Sequence, residues 1–444
     1  MYFMNKNDRL QVNIEGYSSE GHGVAKPDGF VLFVPGALAG ETVDVHVVKV
    51  NRHFGYAKIL KVVDPSPCRV DPACTVCDKC GGCAMWHASY DEEKSFKRAK
   101  VMQNLYKAGI DCEVENTCST DAFTHYRNKA QYPVREQDGQ IAVGFYRNGS
   151  HTVIEGECKI QPRIFHDIAM RVKSLMIECG ITAYNEKSGR GTLRHIYLRA
   201  NKDFDEIMLC LVVNGKLDKN SPIFDKLRVE FKEISTICIN YNDKNTNVIL
   251  GDRYQTVYGN GYITDTLCGK KFKISPQSFY QVNHDGCELL YSLAKEFVGD
   301  SKNLLDLYCG IGTVGLCCAG ENTRLTGVEI VPQAIENAKQ NAKQNGVQNA
   351  QFFVADAATV ADIAKEDYDA IIVDPPRKGC DGKTLEFLIN KAPEKLVYIS
   401  CDSATLARDL AVLKEHFEIE RVIPVDMFPK THHVETVVWL RAIQ

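Results

Sequence analysis

The chain has 444 residues, of which 44% are hydrophobic and 25% charged, and its 53 Lys and Arg against 57 Asp and Glu leave a net charge of -4. This length exceeds what one core usually reaches, so we expect two or three domains. The composition excludes wholesale disorder and collagen-like repeats. The net charge excludes a generally basic nucleic-acid binder, so any nucleic-acid partner must be held by local basic patches.

The N-terminus, MYFMNKNDRL, lacks the apolar segment of a signal peptide, and no later stretch approaches the ~20 apolar residues of a membrane span. We therefore expect a cytoplasmic protein. In a reducing compartment, its 18 cysteines indicate metal ligation, catalysis or buried free thiols more than disulfides.

Residues 10–63 form a run of short alternating strands separated by Gly and Pro, which is typical of a small β-barrel. Such a barrel is either a structural cap or an RNA-binding appendage, and the periodicity does not separate the two. A segment rich in Pro, Gly and Cys follows from Asp64. A helix is then predicted from about Tyr90 to Ala108.

From about 124 to 270 the pattern is mainly β, with strands predicted at KAQYPVRE, QIAVGFYR, RHIYLRAN and EIMLCLVVNG. From about 272 to the end, apolar strands alternate with helices, which predicts a doubly wound parallel sheet. The predicted fold class is therefore α/β, with a Rossmann-like C-terminal domain, an N-terminal small β-barrel and a central mainly β domain.

The Pro- and Gly-rich segment contains a cysteine cluster. Cys74, Cys80 and Cys83 have the spacing C-x5-C-x2-C in a loop whose glycines leave room for a bound group. Three close thiolates and one distant cysteine can supply the four ligands of an iron–sulfur cube, and four thiolates suit zinc equally well. Cys158 is the leading candidate for the fourth ligand. The spacing predicts a metal site and leaves iron and zinc open, with inert thiols as the alternative.

A glycine-rich turn follows the strand NLLDLYC and places Gly310, Gly312 and Gly315 in a GxGxxG pattern. The glycines allow a ligand to approach closely, and the N-terminus of the next helix presents N–H groups to it. Glu329 ends the next strand, where a carboxylate can accept both hydroxyls of a ribose. This pattern fits a dinucleotide as well as S-adenosylmethionine, and a turn that only packs a helix on the sheet is the third possibility.

Two later strand ends carry further candidates. Asp374, in AIIVDPPRKG, ends a strand at the mouth of the sheet, where a doubly wound fold holds its substrate. Cys401 lies between a strand and a helix, whose N-terminus lowers the pKa of a thiol; a buried small side chain is the alternative reading. Glu435 precedes the last strand and is a base only if a pocket faces it. For His432 and His433, hydrogen-bonded or solvated imidazoles are favoured over metal ligands.

Together these motifs resemble the bacterial RNA uracil-5-methyltransferase family, specifically its 23S ribosomal RNA branch, over nearly the whole chain. EGYSSEGHGVAK and FVPGALAGE are similar to the family's N-terminal TRAM barrel, and SCDSATLARDL and DMFPKTHHVE are highly specific. The resemblance implies a four-iron cluster. Its ligands would be Cys74, Cys80, Cys83 and Cys158, with Cys68 and Cys77 as extra thiols without a role.

The resemblance also implies the residues of the active site. Cys401 would be the nucleophile that adds to carbon 6 of a uracil, so that carbon 5 can take a methyl group from S-adenosylmethionine. Glu435 would then accept the proton from carbon 5, so that the thiol can leave. The implied cofactor contacts are Gln281, Tyr308, Gly310, Gly312, Glu329, Asp356 and Asp374.

These assignments divide the chain into a TRAM RNA-binding barrel at 5–64, a central iron–sulfur and RNA-binding domain at 65–270, and a methyltransferase domain at 271–444, on which the helix at about 90–108 is expected to pack. Single-stranded RNA is recognised by stacking and guanidinium contacts, and the target base is turned out into the pocket. The side chains expected to contact RNA are those of Arg127, Lys129, Tyr132, Arg135, Tyr146, Arg147, Arg194 and Arg199.

The sequence thus predicts a monomeric, S-adenosylmethionine-dependent enzyme that forms 5-methyluridine in 23S ribosomal RNA. A transfer RNA substrate is the nearest alternative. An NAD-linked iron–sulfur oxidoreductase would account for the GxGxxG pattern but not for DPPR, Cys401 or the barrel. A non-catalytic RNA-binding iron–sulfur module would have no need of Cys401.

Overall fold

The structure is a computed structural model that describes residues 4–443. Its N-terminal sheet has six strands in the order β1-β5-β6-β4-β3-β2. Along β5, the alternate residues Val43, Val45 and Val47 are fully buried, so one face of the sheet forms a core of its own. The strands are β1 (Arg9–Asn13), β2 (Gly16–Tyr17), β3 (Gly23–Ala25), β4 (Val31–Val34), β5 (Thr42–Val50) and β6 (Phe54–Asp64).

A long helix, α1 (Tyr90–Lys107), connects this sheet to the rest of the chain. It begins after Ser89, whose side chain accepts the N–H of Glu92 and so caps the helix. Asn104 donates a hydrogen bond of 2.8 Å to Ser403 in the C-terminal domain. Helix α1 therefore packs on the C-terminal domain although it precedes the central sheet in sequence.

The central sheet has the order β14-β13-β12-β11-β7-β8, and β9 and β10 form a separate hairpin. The predicted strands are present, whereas the expectation of a mainly β region overlooked α2 and α3. Helix α2 buries one apolar stripe at 3.6-residue spacing and thereby covers one face of the sheet. The elements are β7 (Lys129–Gln137), β8 (Gln140–Val143), β9 (Phe145–Tyr146), β10 (Val153–Ile154), α2 (Arg163–Glu178), β11 (Leu193–Ala200), β12 (Ile207–Val213), α3 (Pro222–Glu230), β13 (Ile234–Tyr241) and β14 (Arg253–Tyr258).

Strands β11 and β12 are buried at every residue because both faces of the central sheet are covered. Leu209 and Leu211 face the helices α2 and α3. Met208 and Cys210 face the other way, into a cluster that includes Ile263 at the start of the C-terminal domain. The central sheet therefore shares a core with the C-terminal domain.

The C-terminal sheet has seven strands in the order β19-β18-β17-β20-β21-β23-β22. The expectation of a fully parallel sheet is wrong for its last two strands, since β23 runs antiparallel to both β21 and β22. Residues 426–434, which join β22 to β23, are too few for the crossover that a parallel pair needs. The elements are β15 (Ile263–Leu267), β16 (Lys270–Ile274), α4 (His284–Val298), β17 (Asn303–Leu307), α5 (Thr313–Cys318), β18 (Arg324–Glu329), α6 (Pro332–Gln344), β19 (Ala350–Val354), β20 (Ala370–Val373), α7 (Gly382–Lys391), β21 (Lys395–Ser400), α8 (Ser403–Leu413), β22 (Phe417–Val425) and β23 (Glu435–Ala442).

The strand order reverses between β17 and β20, and ligands of open α/β sheets bind outside the carboxyl ends of the strands at such a point. Tyr308, Asp374 and Cys401 each follow directly on one of these parallel strands. The fold therefore brings these side chains to one edge. Between residues 4 and 443, none of the helices combines the length and the hydropathy that a membrane span requires.

Candidate active site

The glycine-rich loop after β17 has the left-handed backbone that glycine favours. Gly310 and Gly312 have φ angles of 54° and 81°, and Tyr308 has 64°. A Cβ atom on Gly310 would meet nothing within 4 Å, so the space above it is open. A Cβ atom on Gly312 would lie 3.2 Å from Phe352. Gly312 is thus required by packing, whereas Gly310 leaves room for a ligand.

Asp306, within β17, is hydrogen-bonded to the backbone that follows this loop. Its side chain is fully buried, and its Oδ2 atom accepts the N–H of Gly315 at 2.8 Å. The pKa of Asp306 is raised to about 8, mainly by burial and also by the charges of Asp374 and Glu329, against the hydrogen bond from Gly315. Asp306 is not among the predicted site residues. Its signal in the sequence is a single acid inside the apolar strand NLLDL.

Glu329 ends β18 and faces the same loop. Its Oε2 atom accepts the N–H of Gly310 at 3.2 Å, and its Oε1 atom accepts the N–H of Val331 at 2.9 Å. Asp356 is exposed, and its carboxylate accepts the N–H of Ala358 at 3.0 Å. The structure thus joins Glu329 to the glycine loop and leaves Asp356 on the surface beyond β19.

An exposed apolar surface borders Glu329. The sequence motifs did not reveal this surface. Its members are large hydrophobic side chains at the carboxyl ends of β18 and β19, with exposed fractions between 37% and 60%. Exposed apolar groups at the strand ends of an open α/β sheet suit a flat apolar ligand. The residues are Ile330, Val331, Phe353 and Val354.

Gln281 lies in the segment between β16 and α4, which the central sheet holds in place. Arg199 of β11 is only 1% exposed and donates to the carbonyl oxygens of Ser278 at 2.8 Å and of Tyr280 at 2.7 Å. Because its guanidinium is buried in these bonds, the prediction that Arg199 contacts RNA is wrong. It positions the Gln281 segment instead.

Three other predicted RNA contacts are also buried. Arg194 donates to the carbonyl oxygen of Asn242 at 2.7 Å, and Tyr132 donates to Gln161 at 2.7 Å. Arg135 is 7% exposed and bonds to the carbonyl oxygen of Arg194 at 3.1 Å. These side chains are engaged inside the protein, so the prediction is wrong for them as well. The remaining candidates are partly or fully exposed: Arg127, Lys129, Tyr146 and Arg147.

Cys401 and Glu435 lie at the same end of two neighbouring strands. Ser400, the last residue of β21, pairs with Thr436 of β23, so Cys401 and Glu435 flank this pair. Glu435 is 4% exposed, whereas Cys401 is half-buried. The structure therefore places the predicted nucleophile and the predicted base beside each other, and Glu435 is not solvated.

The titratable groups of this site shift one another's pKa values. Burial raises the pKa of Glu435 to about 8, with Asp374 raising it further and Arg377 opposing the shift. Burial likewise raises the pKa of Asp374 to about 7. The pKa of Cys401 rises to about 11 because of burial, Glu435 and Asp374, while Arg377 lowers it. Several titratable groups with raised pKa values at one edge are typical of a catalytic site.

The expectation that a helix N-terminus lowers the pKa of Cys401 is wrong. Helix α8 is capped by Asp402, whose carboxylate accepts the N–H groups of Ala404 at 3.0 Å and Thr405 at 3.1 Å. These donors are therefore not available to the thiol. The exposed Arg377, from the DPPR motif, is the group that favours the thiolate.

We expect the ligand-free protein to lose stability as the pH rises from about 5 to about 8. A buried carboxyl with a raised pKa binds its proton in the folded state but not in the unfolded state, so raising the pH favours unfolding. Glu435→Gln removes one such proton. The slope of the free energy of unfolding against pH should therefore become shallower by up to about 1.4 kcal/mol per pH unit. Urea denaturation between pH 5 and 8 measures this slope for the parent and for the variant. The exposed Glu386→Gln is the control. An unchanged slope would show that Glu435 is already ionised.

Five cysteines line one cavity of about 230 Å³ between the 74–83 loop and the central sheet. They include the predicted ligands together with Cys77, whereas Cys68 lies outside the lining. The predicted ligands are Cys74, Cys80, Cys83 and Cys158. Distant parts of the sequence therefore meet here, as four-cysteine ligation requires.

The surroundings of these thiols fit an anionic metal–thiolate group. The pKa of Cys83 is raised to about 12, mainly by burial and by the neighbouring Cys158, and that of Cys158 to about 11, mainly by burial and by Cys80 and Cys74. Hydrogen bonds from Trp86 and from backbone N–H groups oppose these shifts by stabilising the thiolates. Arg127 and Lys129 line the same cavity and supply positive charge. A bound cation would therefore release protons from the thiols and find hydrogen-bond donors to the thiolates already present.

The loop that joins β22 to β23, called here the return loop (residues 426–434), leads directly to Glu435. The carbonyl oxygen of Lys430 accepts the N–H groups of Ala84 at 2.9 Å and Met85 at 3.1 Å, just after Cys83. Tyr126 donates to the carbonyl oxygen of Pro429 at 2.9 Å. The return loop is thus bonded to the cysteine loop on one side and leads to Glu435 on the other.

Four buried charges hold the return loop on α1. Lys97 lies 2.7 Å from both Glu93 and Asp426, and Lys430 lies 3.3 Å from Glu93. The side chains of Glu93, Lys97 and Asp426 are completely buried, and that of Lys430 is 4% exposed. Two ammonium groups thereby neutralise two carboxylates away from water. We call these four residues the charge quartet.

Lys430→Met is expected to destabilise the protein by about 3 kcal/mol or more, because it leaves one carboxylate of the charge quartet buried without its partner. The midpoint of thermal unfolding should fall by at least about 3 °C. The exposed Lys343→Met serves as the control, and Glu93→Gln/Lys430→Met, which removes both charges, should restore part of the loss. A midpoint equal to that of the parent protein would mean that the quartet contributes nothing.

Comparison with known proteins agrees with this geometry. A tRNA (uracil-5-)-methyltransferase family model matches residues 90–443, and a TRAM domain model matches residues 5–60. The chain is 42% identical to an uncharacterized RNA methyltransferase of Halalkalibacterium halodurans, over 98% of this chain and 97% of that protein. It is 40% identical to one of Clostridium tetani, over 98% and 96%.

Among solved structures, the chain is similar to the tRNA (uracil-54, C5)-methyltransferase of Pyrococcus abyssi in complex with S-adenosyl-L-homocysteine. The identity is 28% and the TM-score 0.79, with 97% of this chain and 99% of that chain covered. The fold and the site define a protein of the RNA methyltransferase class. The chain belongs to the tRNA (uracil-5-)-methyltransferase family, and its N-terminal sheet lies within the region matched as a TRAM domain.

Proposed function

We propose that the protein transfers a methyl group from S-adenosylmethionine to carbon 5 of a uridine in 23S ribosomal RNA. The observation that carries this proposal is the meeting of Cys401, Glu435 and Asp374 at the strand ends next to the glycine loop. An NAD-linked oxidoreductase would leave the DPPR motif and the N-terminal TRAM match unexplained.

Cys401 is proposed to add to carbon 6 of the uracil and to leave at the end. Adding the thiolate places negative charge on the ring, so that carbon 5 becomes nucleophilic. Arg377 favours the thiolate electrostatically, whereas the ionised forms of Glu435 and Asp374 disfavour it. Thiolate formation is therefore opposed least while Asp374 holds its proton, whereas Glu435 has to be ionised to accept the proton from carbon 5, which it afterwards releases to solvent.

Glu435 is proposed to remove the proton from carbon 5 after methylation. The raised pKa of about 8 makes its carboxylate a stronger base than an ordinary glutamate, since burial disfavours the charged form. When the proton has been taken, the electron pair of the C–H bond forms the ring double bond and the bond to Cys401 breaks.

S-adenosylmethionine would supply an electrophilic methyl group. The glycine loop and Glu329 are proposed to hold its ribose and amino-acid parts, together with Gln281, Tyr308, Asp374 and Asp356. The apolar surface at Ile330 and Phe353 is proposed to cover the adenine ring. The open space above Gly310 supports this arrangement.

Two classes of RNA are candidate substrates. The family resemblance favours 23S ribosomal RNA, and the similarity to a transfer RNA enzyme over 97% of the chain favours transfer RNA as the second candidate. Mapping 5-methyluridine in both RNA classes, from cells with and without the gene, decides between them. We expect one or more ribosomal uridines to lose the modification, and a loss confined to transfer RNA would overturn the ribosomal assignment.

The cysteine cavity is proposed to hold a four-iron cluster through Cys74, Cys80, Cys83 and Cys158. Such a cluster can carry electrons, but the proposed methyl transfer moves none. Its cysteine ligands are proposed instead to fix the cysteine loop, which is hydrogen-bonded to the carbonyl oxygen of Lys430. The cluster would therefore act on the site by ordering the return loop.

Protein prepared without oxygen is expected to contain about four iron atoms per chain and the broad absorption of an iron–sulfur cluster. Cys83→Ser and Cys158→Ser should each lose most of the iron, whereas Cys68→Ser, outside the cavity, should keep it. Elemental analysis for iron and zinc measures this. Stoichiometric zinc in place of iron would contradict the cluster assignment.

A further inference from the structure

Two cysteines of the C-terminal domain, which the proposed reaction does not use, lie side by side. Cys268 is in the turn between β15 and β16, and Cys317 lies near the end of α5. The Sγ atom of Cys317 lies 3.6 Å from the carbonyl oxygen of Leu267, the residue before Cys268. The two thiols are hydrogen-bonded to each other. We call Cys268 and Cys317 the thiol pair.

The turn places Cys268 where a solute can reach it. Strand β15 ends at Leu267 and β16 begins at Lys270, so Cys268 and Gly269 form the turn. Their φ angles are 50° and 74°, a left-handed backbone for which Asn, Asp or Gly is preferred at both positions. Cys268 is half-buried, whereas Cys317 is only 3% exposed. An accessible thiol therefore stands where the backbone does not favour cysteine, with a buried thiol next to it.

The hydrogen bond makes the two thiols unequal. It lowers the pKa of Cys268, because the thiol of Cys317 donates to the Cys268 thiolate. Lys295 lowers the pKa too, whereas burial and Glu288 oppose the shift. The same hydrogen bond raises the pKa of Cys317 well above its usual value, and burial adds to this. Cys268 is therefore the thiolate of the thiol pair, and Cys317 holds a proton beside it.

Buried cysteines often act only as small hydrophobic side chains. Cys287 and Cys318 fit that description, since both are almost completely buried in the same hydrophobic cluster as Cys317. Cys268 only packs against this cluster and remains partly exposed. Packing gives no reason for a thiol in a left-handed turn. An accessible thiolate beside a second cysteine is instead the arrangement of cysteines that respond to oxidants.

We propose that Cys268 is a site of oxidation by hydrogen peroxide and that Cys317 converts the oxidised form into a disulfide. The Cys268 thiolate attacks one peroxide oxygen, the O–O bond breaks, and the departing hydroxide takes up a proton to become water. This leaves a sulfenic acid on Cys268. The sulfur of Cys317 then attacks the Cys268 sulfur, and the hydroxyl group leaves as water with the proton of Cys317. The two thiols lose two electrons in total, and one peroxide becomes two waters.

The disulfide would act on the glycine loop through α5, which begins directly after Gly312. A Cβ atom on Gly315 of α5 would lie 2.7 Å from Asp306 and 2.8 Å from Leu325, so the helix has no free space on this side. A disulfide holds two sulfurs closer together than a hydrogen bond does. Its formation therefore draws the end of α5 toward the turn and displaces the glycine loop. We expect weaker cofactor binding, which rests on the proposed function in taking this loop as the cofactor site.

The test of the oxidation site uses the full-length protein, prepared without oxygen and then treated with a limiting amount of hydrogen peroxide. Free thiols are blocked with N-ethylmaleimide, and mass spectrometry of the digested protein detects peptides linked through Cys268 and Cys317. The parent should give this linked pair at doses that leave Cys112 reduced, since burial raises the pKa of that half-buried cysteine. Cys317→Ala should instead give a sulfenic acid on Cys268 that dimedone traps.

Cys268→Ser should give neither product, whereas the matched Cys112→Ser should give the linked pair like the parent. Circular dichroism establishes that each variant is folded. A parent protein in which Cys268 stays reduced at doses that oxidise Cys112 would overturn the proposal. A sulfenic acid on Cys268 in the parent without the linked pair would also overturn it, because Cys317 would then not react.

Calorimetric titration with S-adenosylhomocysteine tests the effect on the glycine loop. The oxidised parent should bind about tenfold more weakly, within the usual range of coupling between two sites, and dithiothreitol should restore the affinity. Cys268→Ser, exposed to the same peroxide, should bind as it did before treatment. An equal loss of affinity in both proteins would exclude coupling through the thiol pair. The linked pair forms whether or not the protein methylates RNA, so this proposal and the proposed function fail separately.

Discussion

Cys401→Ala is expected to abolish methyl transfer to RNA, with a loss in rate of about 10⁴-fold or more, because it removes the thiol proposed to add to the uracil ring. Transfer of tritium-labelled methyl groups from S-adenosylmethionine to RNA measures the rate. Cys112→Ser, which changes another half-buried cysteine, is the control and should retain the parental rate.

The covalent step can be observed directly. RNA that contains 5-fluorouracil has no proton to lose at carbon 5, so the parent protein should form a stable conjugate with it that survives denaturing electrophoresis. Cys401→Ala should form none. A parent protein that methylates ordinary RNA but never yields this conjugate would exclude addition by the thiol.

Glu435→Gln is expected to slow turnover by about 10²- to 10⁴-fold, the usual contribution of a positioned general base. An amide has nearly the same shape but cannot accept the proton from carbon 5. Addition and methyl transfer should still occur, so the variant should accumulate a methylated protein–RNA adduct on ordinary RNA.

Mass spectrometry of the trapped adduct distinguishes this role from a structural one. The uridine bound to Cys401 should already carry the methyl group. An adduct without a methyl group would place Glu435 before methyl transfer, and a slow variant without any adduct would assign it to binding. The exposed Glu386→Gln is the control for loss of a surface carboxylate.

Much of the chemistry could be predicted because it follows from short-range patterns. The glycine loop, Glu329 and Asp374 each stand at the end of an apolar strand, and parallel strands bring their ends to one edge whatever the rest of the chain does. Helix α1 was predicted at about Tyr90 to Ala108 and lies at Tyr90–Lys107, where the cap at Ser89 marks its start.

What could not be predicted depends on contacts between distant segments. Arg199 looks like a surface cation in the sequence, but its partners are carbonyl groups 79 and 81 residues away. The environment of Cys401 likewise depends on β23, whose antiparallel placement no local pattern reveals. Helix α2 was overlooked because its stripe of apolar residues lies between strands of similar composition.

The charge quartet also has a consequence for biosynthesis. Lys97 and Asp426 are 329 residues apart. Helix α1 therefore leaves the ribosome long before Asp426, whose carboxylate neutralises the Lys97 ammonium group. Until the C-terminal strand has been translated, Lys97 has only Glu93 four residues away, and this side of the helix has to stay hydrated. A nascent chain that stalls before residue 426 would therefore present an unfinished helix surface to chaperones and proteases, so translation through residue 426 is a condition for burying this side of α1.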